Sequence, residues 1–213
     1  MTEHRDLTDV NGKTYTTDTL RHTHQASQSN SWMHTVLHRW PTVLGVAVAA
    51  LTAFDMQLDA AFVSTLATLV VVMALVYVGA AVLNRRWSAW PVLLAGLPVA
   101  LVFPSTSLVT PLLLLLAVSA LFIGIGIVQG RLHEPTGLPL QALGVVAFGA
   151  TMLTALFVSP TFGAYLVALG LFGHAAWDIH HYLKDSVVAR SYSEFCGVLD
   201  LLLGVTILIA LWL

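Results

Sequence analysis

Four side chains near the carboxyl end of the chain have the types and the spacing that chemistry requires, namely His174, Asp178, His181 and Asp200. The first three stand at i, i+4 and i+7, which places them on one face of a helix, whereas His180 points elsewhere. Asp200 lies on the next apolar segment. At a rise of about 1.5 Å per residue, Asp178 and Asp200 lie at similar depths, about 6 to 9 Å inside the ends of their helices, so we expect the two acids to meet.

Imidazole nitrogens and carboxylate oxygens that converge from neighbouring helices form a ligand set suited to zinc, iron or manganese, and metal sites in helix bundles are built in this way. The pattern therefore predicts a divalent transition metal as cofactor. Its candidate ligands are His174, Asp178, His181 and Asp200, and the two acids are also the candidate catalytic residues.

Two other interpretations of these residues remain open. The first is a proton or substrate relay, because histidine titrates near neutrality and acids inside membranes often carry protons. The second is a structural lock, in which the acids pair with Arg131, Lys184 or Arg190 to hold the helices together. A charge inside the hydrocarbon costs about 2.5 kcal/mol or more, so each interpretation gives the acids a partner.

Further polar residues flank this cluster. Glu194 and Cys196 stand near the start of the last apolar segment, where they can contribute at the rim of the site. Five others lie at the ends of apolar segments on the same side and can complete a pocket there, or can serve only as interfacial caps and hydrogen-bonding groups. They are Asn84, Gln129, His133, Glu134 and Gln141.

The elements that carry these residues are membrane-spanning helices. Of the 213 residues, 57% are hydrophobic and 9% are charged, against about 25% charged residues in soluble domains. The apolar residues form solid blocks of about 17 to 25 positions, the length that a helix needs to cross a bilayer. Inside lipid only helices and closed barrels satisfy the backbone, and barrel strands alternate in polarity. The fold class is therefore an all-α, polytopic transmembrane helical bundle.

The chain divides into a polar tail, residues 1–31, which we expect to be disordered, and a transmembrane helical domain, residues 32–213. We expect seven spans in that domain. The third is interrupted by Pro91, Gly96 and Pro98, which predicts a kink or a partly broken helix. The seven predicted spans are 36–54, 60–83, 87–103, 108–128, 138–158, 161–182 and 195–213.

The orientation follows from the basic residues, which accumulate on the cytoplasmic side of membrane proteins. All nine fall in the tail or in the loops after spans 2, 4 and 6, and none falls in the other loops. An odd number of crossings, with the amino terminus in the cytoplasm and the carboxyl terminus on the opposite side, fits every one of them. The nine are Arg5, Lys13, Arg21, Arg39, Arg85, Arg86, Arg131, Lys184 and Arg190.

Several classes of function are excluded. The net charge of −2 gives no footprint for nucleic acid, and the single cysteine cannot form an internal disulfide. No predicted span contains a lysine for a retinal Schiff base. His174 and Asp178 have the spacing of the final HxxxD element of CAAX-type intramembrane proteases, but the EExxxR motif of those enzymes is absent, so that family is excluded.

Three functions are compatible with the predicted membrane fold and the His/Asp cluster. The first is a metal-binding enzyme embedded in the membrane, which acts on a lipid-like or small membrane-soluble ligand. The second is a proton-coupled or ion-coupled transporter or channel, with Asp178 and Asp200 carrying the ion. The third is an accessory subunit of a larger membrane complex, with the cluster as a lock. The partner in all three is the lipid bilayer, and we expect the plasma (inner) membrane.

Overall fold

The chain folds as a series of apolar helices. The structure is a computed structural model that describes residues 7–8, 14–15, 39–54, 56–102, 108–133 and 137–213. Glu134 and most of the tail lie outside these ranges, so the expected disorder of residues 1–31 stays a prediction. The described part of the chain contains two strands, β1 (Leu7–Thr8) and β2 (Thr14–Tyr15), and seven helices: α1 (Trp40–Phe54), α2 (Ala60–Leu83), α3 (Ala89–Val102), α4 (Thr110–Val128), α5 (Leu138–Ala155), α6 (Pro160–Lys184) and α7 (Arg190–Trp212). The two strands pair antiparallel, Leu7 with Tyr15 and Thr8 with Thr14.

Five of the helices are long and apolar enough to cross a membrane, namely α2, α4, α5, α6 and α7. The other two are apolar but shorter, with 15 residues in α1 and 14 in α3. The predicted all-α fold is confirmed, with five helices that could cross a membrane. The third span was expected to kink or to be partly broken, and α3 is continuous from Ala89 to Val102 with Pro98 inside it, so the helix is not broken in this range.

Local sequence sets the ends of the helices that carry the candidate site. The side chain of Asp59 accepts a hydrogen bond from the Phe62 N–H at 2.8 Å and caps the start of α2, and Asn84 ends that helix in the left-handed conformation. Ser159 caps α6, and Pro160 occupies its first turn, where a missing N–H does no harm. Asp185 ends α6, again in the left-handed conformation.

Helix α2 lies at the centre of the bundle. It packs against α3, α4, α5 and α6, and 17 of its 24 residues are buried. A helix that is hydrophobic all round is expected in such a position. Close approach to α3 depends on Gly96, where an added Cβ would lie 2.7 Å from the Val72 side chain. The polar side chains of Ser64, Thr68 and Tyr77 on α2 therefore face protein, not lipid.

Helices α6 and α7 share the most extensive contact in the bundle. They run antiparallel across a short turn, so that Gly197 meets Asp178 and Gly204 meets Phe172. Helix α7 begins at Arg190, five residues before the start expected at 195. Asp200 therefore lies about 15 Å from the start of its helix, and Asp178 about 9 Å from the end of α6, because α7 extends further at this end than expected.

The loops after α2, α4 and α6 come together at one end of the bundle. They surround a cavity of about 250 Å³, which we call the arginine pocket and define by Asn84, Arg85, Arg86, Arg131 and Ser186. Gly137 and Leu138, at the start of α5, also line it. The three loops that carry basic residues thus share one side of the molecule, as the charge pattern predicts.

Candidate functional site

The candidate site is a cluster of three side chains with no exposed surface, His174, Asp178 and Asp200, which we call the His174 cluster. The Nδ1 atom of His174 lies 3.1 Å from Oδ2 of Asp178, one turn further along α6, and 2.8 Å from Oδ2 of Asp200 on α7. One ligand atom from each residue falls within 4.8 Å of the others. The two acids therefore meet at one imidazole nitrogen, as expected from their similar depths.

Tyr77 on the central helix completes the surroundings of Asp178. Its hydroxyl donates to Oδ1 of Asp178 at 2.5 Å and lies 3.4 Å from the Ser193 hydroxyl. Tyr77 is 1% exposed. Both oxygens of Asp178 thus have partners, one on α2 and one on its own helix. A donor that fixes a carboxylate in this way is the usual support of a metal ligand or of a proton carrier.

His181 shares the buried face of α6 but belongs to a separate network. Its Nδ1 lies 2.9 Å from the Trp177 carbonyl oxygen, and its Nε2 lies 3.0 Å from the Gln141 amide nitrogen. The Trp177 indole donates to the other side of that amide at 3.2 Å. If Gln141 donates to Nε2, the ring is neutral with its proton on Nδ1. The structure thus brings three of the four predicted ligands together and places the fourth beside them.

The charge of the His174 cluster is unbalanced. Its two carboxylates carry a charge of −2, and a protonated imidazole would carry +1. The side chains that bond to the carboxylates are His174 and Tyr77. In the described residues Arg131 bonds Gln129 and Arg190 bonds Asp185, so these two arginines do not pair with the acids. Two protons on the cluster, or one divalent cation with a neutral imidazole, would bring the net charge to zero. Burial of an uncompensated charge is costly, so the cluster favours either a second proton or a bound divalent cation.

Two of the distances among the three ligand atoms are compatible with a metal ion. Nitrogen and oxygen ligands bound at about 2.0 to 2.2 Å stand about 2.8 to 3.1 Å apart at right angles in octahedral sites and about 3.3 to 3.6 Å apart in tetrahedral sites. The distances of 3.1 and 2.8 Å from the His174 Nδ1 to the two carboxylates lie in the octahedral range. Three protein ligands leave coordination positions for water or substrate, as in catalytic rather than structural sites.

Asp200 connects the cluster with an apolar cavity of about 270 Å³ among α1, α2, α3, α6 and α7. Its polar wall consists of Thr52, Cys196 and Asp200, and the remaining lining is aliphatic or aromatic. The Oδ1 atom of Asp200 is buried and has no hydrogen-bond partner within the described residues. An apolar cavity with one carboxylate in its wall is the expected form of a site for a membrane-soluble ligand.

The flanking polar residues have separate positions. Cys196 is fully buried beside Asp200 in the cavity wall, whereas Glu194 is not among the three grouped ligands. The five pocket candidates do not all converge on the cluster. Asn84 lines the arginine pocket, and the Gln129 side chain accepts a hydrogen bond from Arg131. The exposed His133 lies beside the Gly130 carbonyl, and Gln141 lies within hydrogen-bond distance of His181. Glu134 is outside the described ranges.

Sequence reasoning missed Tyr77 and Ser193. One signal was present for the tyrosine, which is the only residue with a hydrogen-bonding side chain between Thr68 and Asn84 on an otherwise apolar helix. No protein-family model, curated protein or solved structure matches this chain.

Proposed function

We propose that the protein is a membrane-embedded metal-binding enzyme, in which His174, Asp178 and Asp200 hold one divalent transition ion. The observation that carries the proposal is the position of His174 Nδ1, 3.1 and 2.8 Å from the two carboxylates, in a buried cluster whose two acids outnumber its one imidazole. Zinc, iron and manganese all accept this donor set. The ion would act as a Lewis acid or would activate a bound water.

The proposed substrate is a lipid-like, membrane-soluble molecule. Support comes from the cavity of about 270 Å³ with Asp200 in its wall. An apolar chain fits the aliphatic lining, and the polar end of the molecule would then face the free Oδ1 of Asp200 and the ion beside it. The surrounding helices keep bulk water away from that end, which strengthens electrostatic interactions there.

Metal analysis of the purified protein tests the proposal. We expect about one ion per chain after expression with zinc, iron and manganese, as for a site with one set of protein ligands. The variants His174→Gln, Asp178→Asn and Asp200→Asn keep the side-chain volume and should each lose the ion. Asp185→Asn removes a carboxylate outside the cluster and should keep it. Metal that persists in all three cluster variants, or a metal-free wild type, would overturn the assignment.

A proton relay is the second candidate, and one observation favours it. Hydrogen-bond distances connect five side chains in a row, at 3.4, 2.5, 3.1 and 2.8 Å. The row is Ser193, Tyr77, Asp178, His174 and Asp200. Such a chain would carry protons in a coupled transporter. Proton flux into liposomes should then fall after Tyr77→Phe and Asp200→Asn. Flux that neither variant changes, together with stoichiometric metal, would support the metal-binding enzyme and contradict the relay.

We further propose seven crossings, with the amino terminus in the cytoplasm and the carboxyl terminus outside the cell, in the plasma membrane. Helices α1 and α3 are about 21 to 22 Å long, short of the hydrocarbon thickness of about 30 Å, which a bilayer can accommodate by local thinning. Cysteine labelling tests this arrangement, since the native Cys196 is buried. A membrane-impermeant maleimide should label Leu213→Cys on whole cells and Lys184→Cys only after permeabilisation; the reverse pattern would refute it.

A further inference from the structure

The arginine pocket is a second candidate site, and it does not depend on the metal cluster. It has a volume of about 250 Å³, and three arginines, Arg85, Arg86 and Arg131, are among its lining residues. The arginines come from two different loops, and the polar residues Ser186 and Asn84 also line the pocket. We infer that this pocket binds a phosphate group, carried either by a lipid head group or by a soluble ligand.

Among the residues that the structure describes, the positive charge of the pocket exceeds the negative charge that pairs with it. Asp185 pairs with Arg86 at 3.0 Å and with Arg190 at 3.4 Å, so a single carboxylate is shared between two arginines. The Nε of Arg131 donates to a neutral acceptor, the Gln129 side chain, at 2.8 Å. An anion in the pocket would supply the missing charge, and guanidinium groups bind phosphate oxygens in charge-assisted pairs.

The start of α5 adds to the positive electrostatic potential of the arginine pocket. Gly137 is the N-cap residue of α5, has no side chain to cap the first turn, and lines the pocket with Leu138. The first N–H groups of a helix are unsatisfied within the helix and carry partial positive charge. A phosphate held by the arginines would therefore also meet the positive end of an 18-residue helix.

The loop between α6 and α7 gives the pocket a fixed shape. Its Val187 has a φ of 67°, and the Val188 N–H donates to the Ser186 carbonyl at 2.8 Å. This is the arrangement of a γ-turn with positive φ, the rare and strained form, and it is unusual for a β-branched residue. The loop is also tied to the opposite wall, because the Ala189 N–H donates to the Arg86 carbonyl at 3.1 Å. Strain retained at a cavity is typical of functional sites.

Binding measurements on the full chain test the inference with two probes. In the first arm, inorganic phosphate is titrated onto detergent-purified protein and followed by calorimetry. In the second arm, the protein is placed in nanodiscs of phosphatidylcholine alone or with phosphatidic acid, and native mass spectrometry counts the lipids retained after release. Binding in the first arm assigns the pocket to a soluble phosphate ligand, and retention of phosphatidic acid in the second assigns it to a lipid head group.

Matched variants separate a shaped site from general attraction to basic loops. Arg131→Gln and Arg85→Gln each remove one pocket guanidinium and should weaken binding about tenfold, the effect of one lost charge-assisted bond. Lys184→Gln removes the same charge from an exposed residue on the same side of the membrane that does not line the pocket, and it should change binding by less than about twofold. Arg131→Lys keeps the charge but loses the fork of donors and should give an intermediate value.

Two results would overturn the inference. One is the failure of both phosphate and phosphatidic acid to bind the wild type above the phosphatidylcholine background. The other is equal loss of binding in Arg131→Gln and Lys184→Gln, which would show that only the summed charge of the cytoplasmic loops matters. Neither result bears on the metal content of the His174 cluster, so the two proposals fail independently.

Discussion

The hydroxyl of Tyr77 donates to Oδ1 of Asp178 at 2.5 Å, between two buried residues 101 positions apart in the chain. This bond joins the central helix α2 to α6, at the level where α6 also meets α7. The carboxylate on which the proposed ion depends is therefore oriented from outside the pair of helices that supplies the ligands. Outer hydrogen bonds of this kind set the direction and the basicity of a metal ligand.

Tyr77→Phe should weaken metal binding without leaving a cavity in the core. The phenyl ring keeps the packing of α2, but Oδ1 of Asp178 loses its donor and stays buried. We expect a loss of about 1 to 3 kcal/mol in the free energy of unfolding, the penalty for a buried polar group left without a partner, and about 10- to 100-fold weaker metal affinity. Thermal unfolding in detergent and metal titration measure the two effects.

Tyr192→Phe provides the matched control. Tyr192 is a fully buried tyrosine whose ring packs edge-on against Tyr77, 6.0 Å between centroids, and its hydroxyl makes no hydrogen bond to the His174 cluster. Metal affinity in this variant should stay at the wild-type value. Equal weakening in both variants would show that any change among the buried tyrosines disturbs the site, and that the bond to Asp178 has no special role.

How far the sequence predicts the site depends on the range of the interaction. The pairing of His174 with Asp178 follows from helical periodicity, which acts over four residues. The start of α7 does not, because hydropathy alone places the start of the last span where the apolar run begins, whereas the helix extends back through polar residues to Arg190. The partner of Asp178 on α2 depends on tertiary packing across 101 residues, which no local pattern encodes.

His181 shows that helical periodicity does not predict the hydrogen-bond partners of a side chain. It shares the buried face of α6 with the cluster, as its spacing predicts, but its two nitrogens face the Trp177 carbonyl and Gln141. The helix beside it, α5, supplies the polar partner that decides its role. Periodicity identifies the face on which a side chain lies, and the neighbouring helix determines what the side chain bonds to.

His181→Gln should therefore leave the metal content unchanged, whereas His174→Gln should abolish it. The reason is that both nitrogens of His181 already have partners outside the His174 cluster, and glutamine keeps a polar group beside Gln141. Elemental analysis of the two purified variants measures the difference. Equal metal loss in both would mean that His181 leaves Gln141 and binds the ion, which would restore the four-ligand site predicted from the sequence.

Gly163→Ala should destabilise the bundle near the start of α6. A Cβ at this position would lie 2.6 Å from the Ala155 carbonyl oxygen and 3.0 Å from the Val63 side chain, and a backbone atom cannot move aside as a flexible side chain can. We expect a loss of about 1 to 3 kcal/mol, as for other overpacked contacts. Thermal unfolding in detergent measures it.

Gly124→Ala is the control for that substitution. Gly124 lies on an exposed face of α4, and nothing lies within 4 Å of the position that its Cβ would take. Alanine is the better helix former by about 1 kcal/mol, so stability should stay the same or rise slightly. A loss in Gly124→Ala as large as that in Gly163→Ala would indicate that the close approach of Gly163 to Ala155 does not limit stability.

Val187→Gly should stabilise the protein, although it removes a side chain. Valine at a φ of 67° is strained, whereas glycine adopts this conformation freely. We expect a gain of about 1 kcal/mol in the free energy of unfolding, at the low end of the strain stored in such residues. The control is the neighbouring Val188→Gly, which removes a side chain that is 1% exposed and should lower stability by about 2 kcal/mol or more. Opposite shifts in the unfolding temperature of the two variants would confirm that the turn is strained; a loss in both would show that the side chain of Val187 contributes more than its backbone costs.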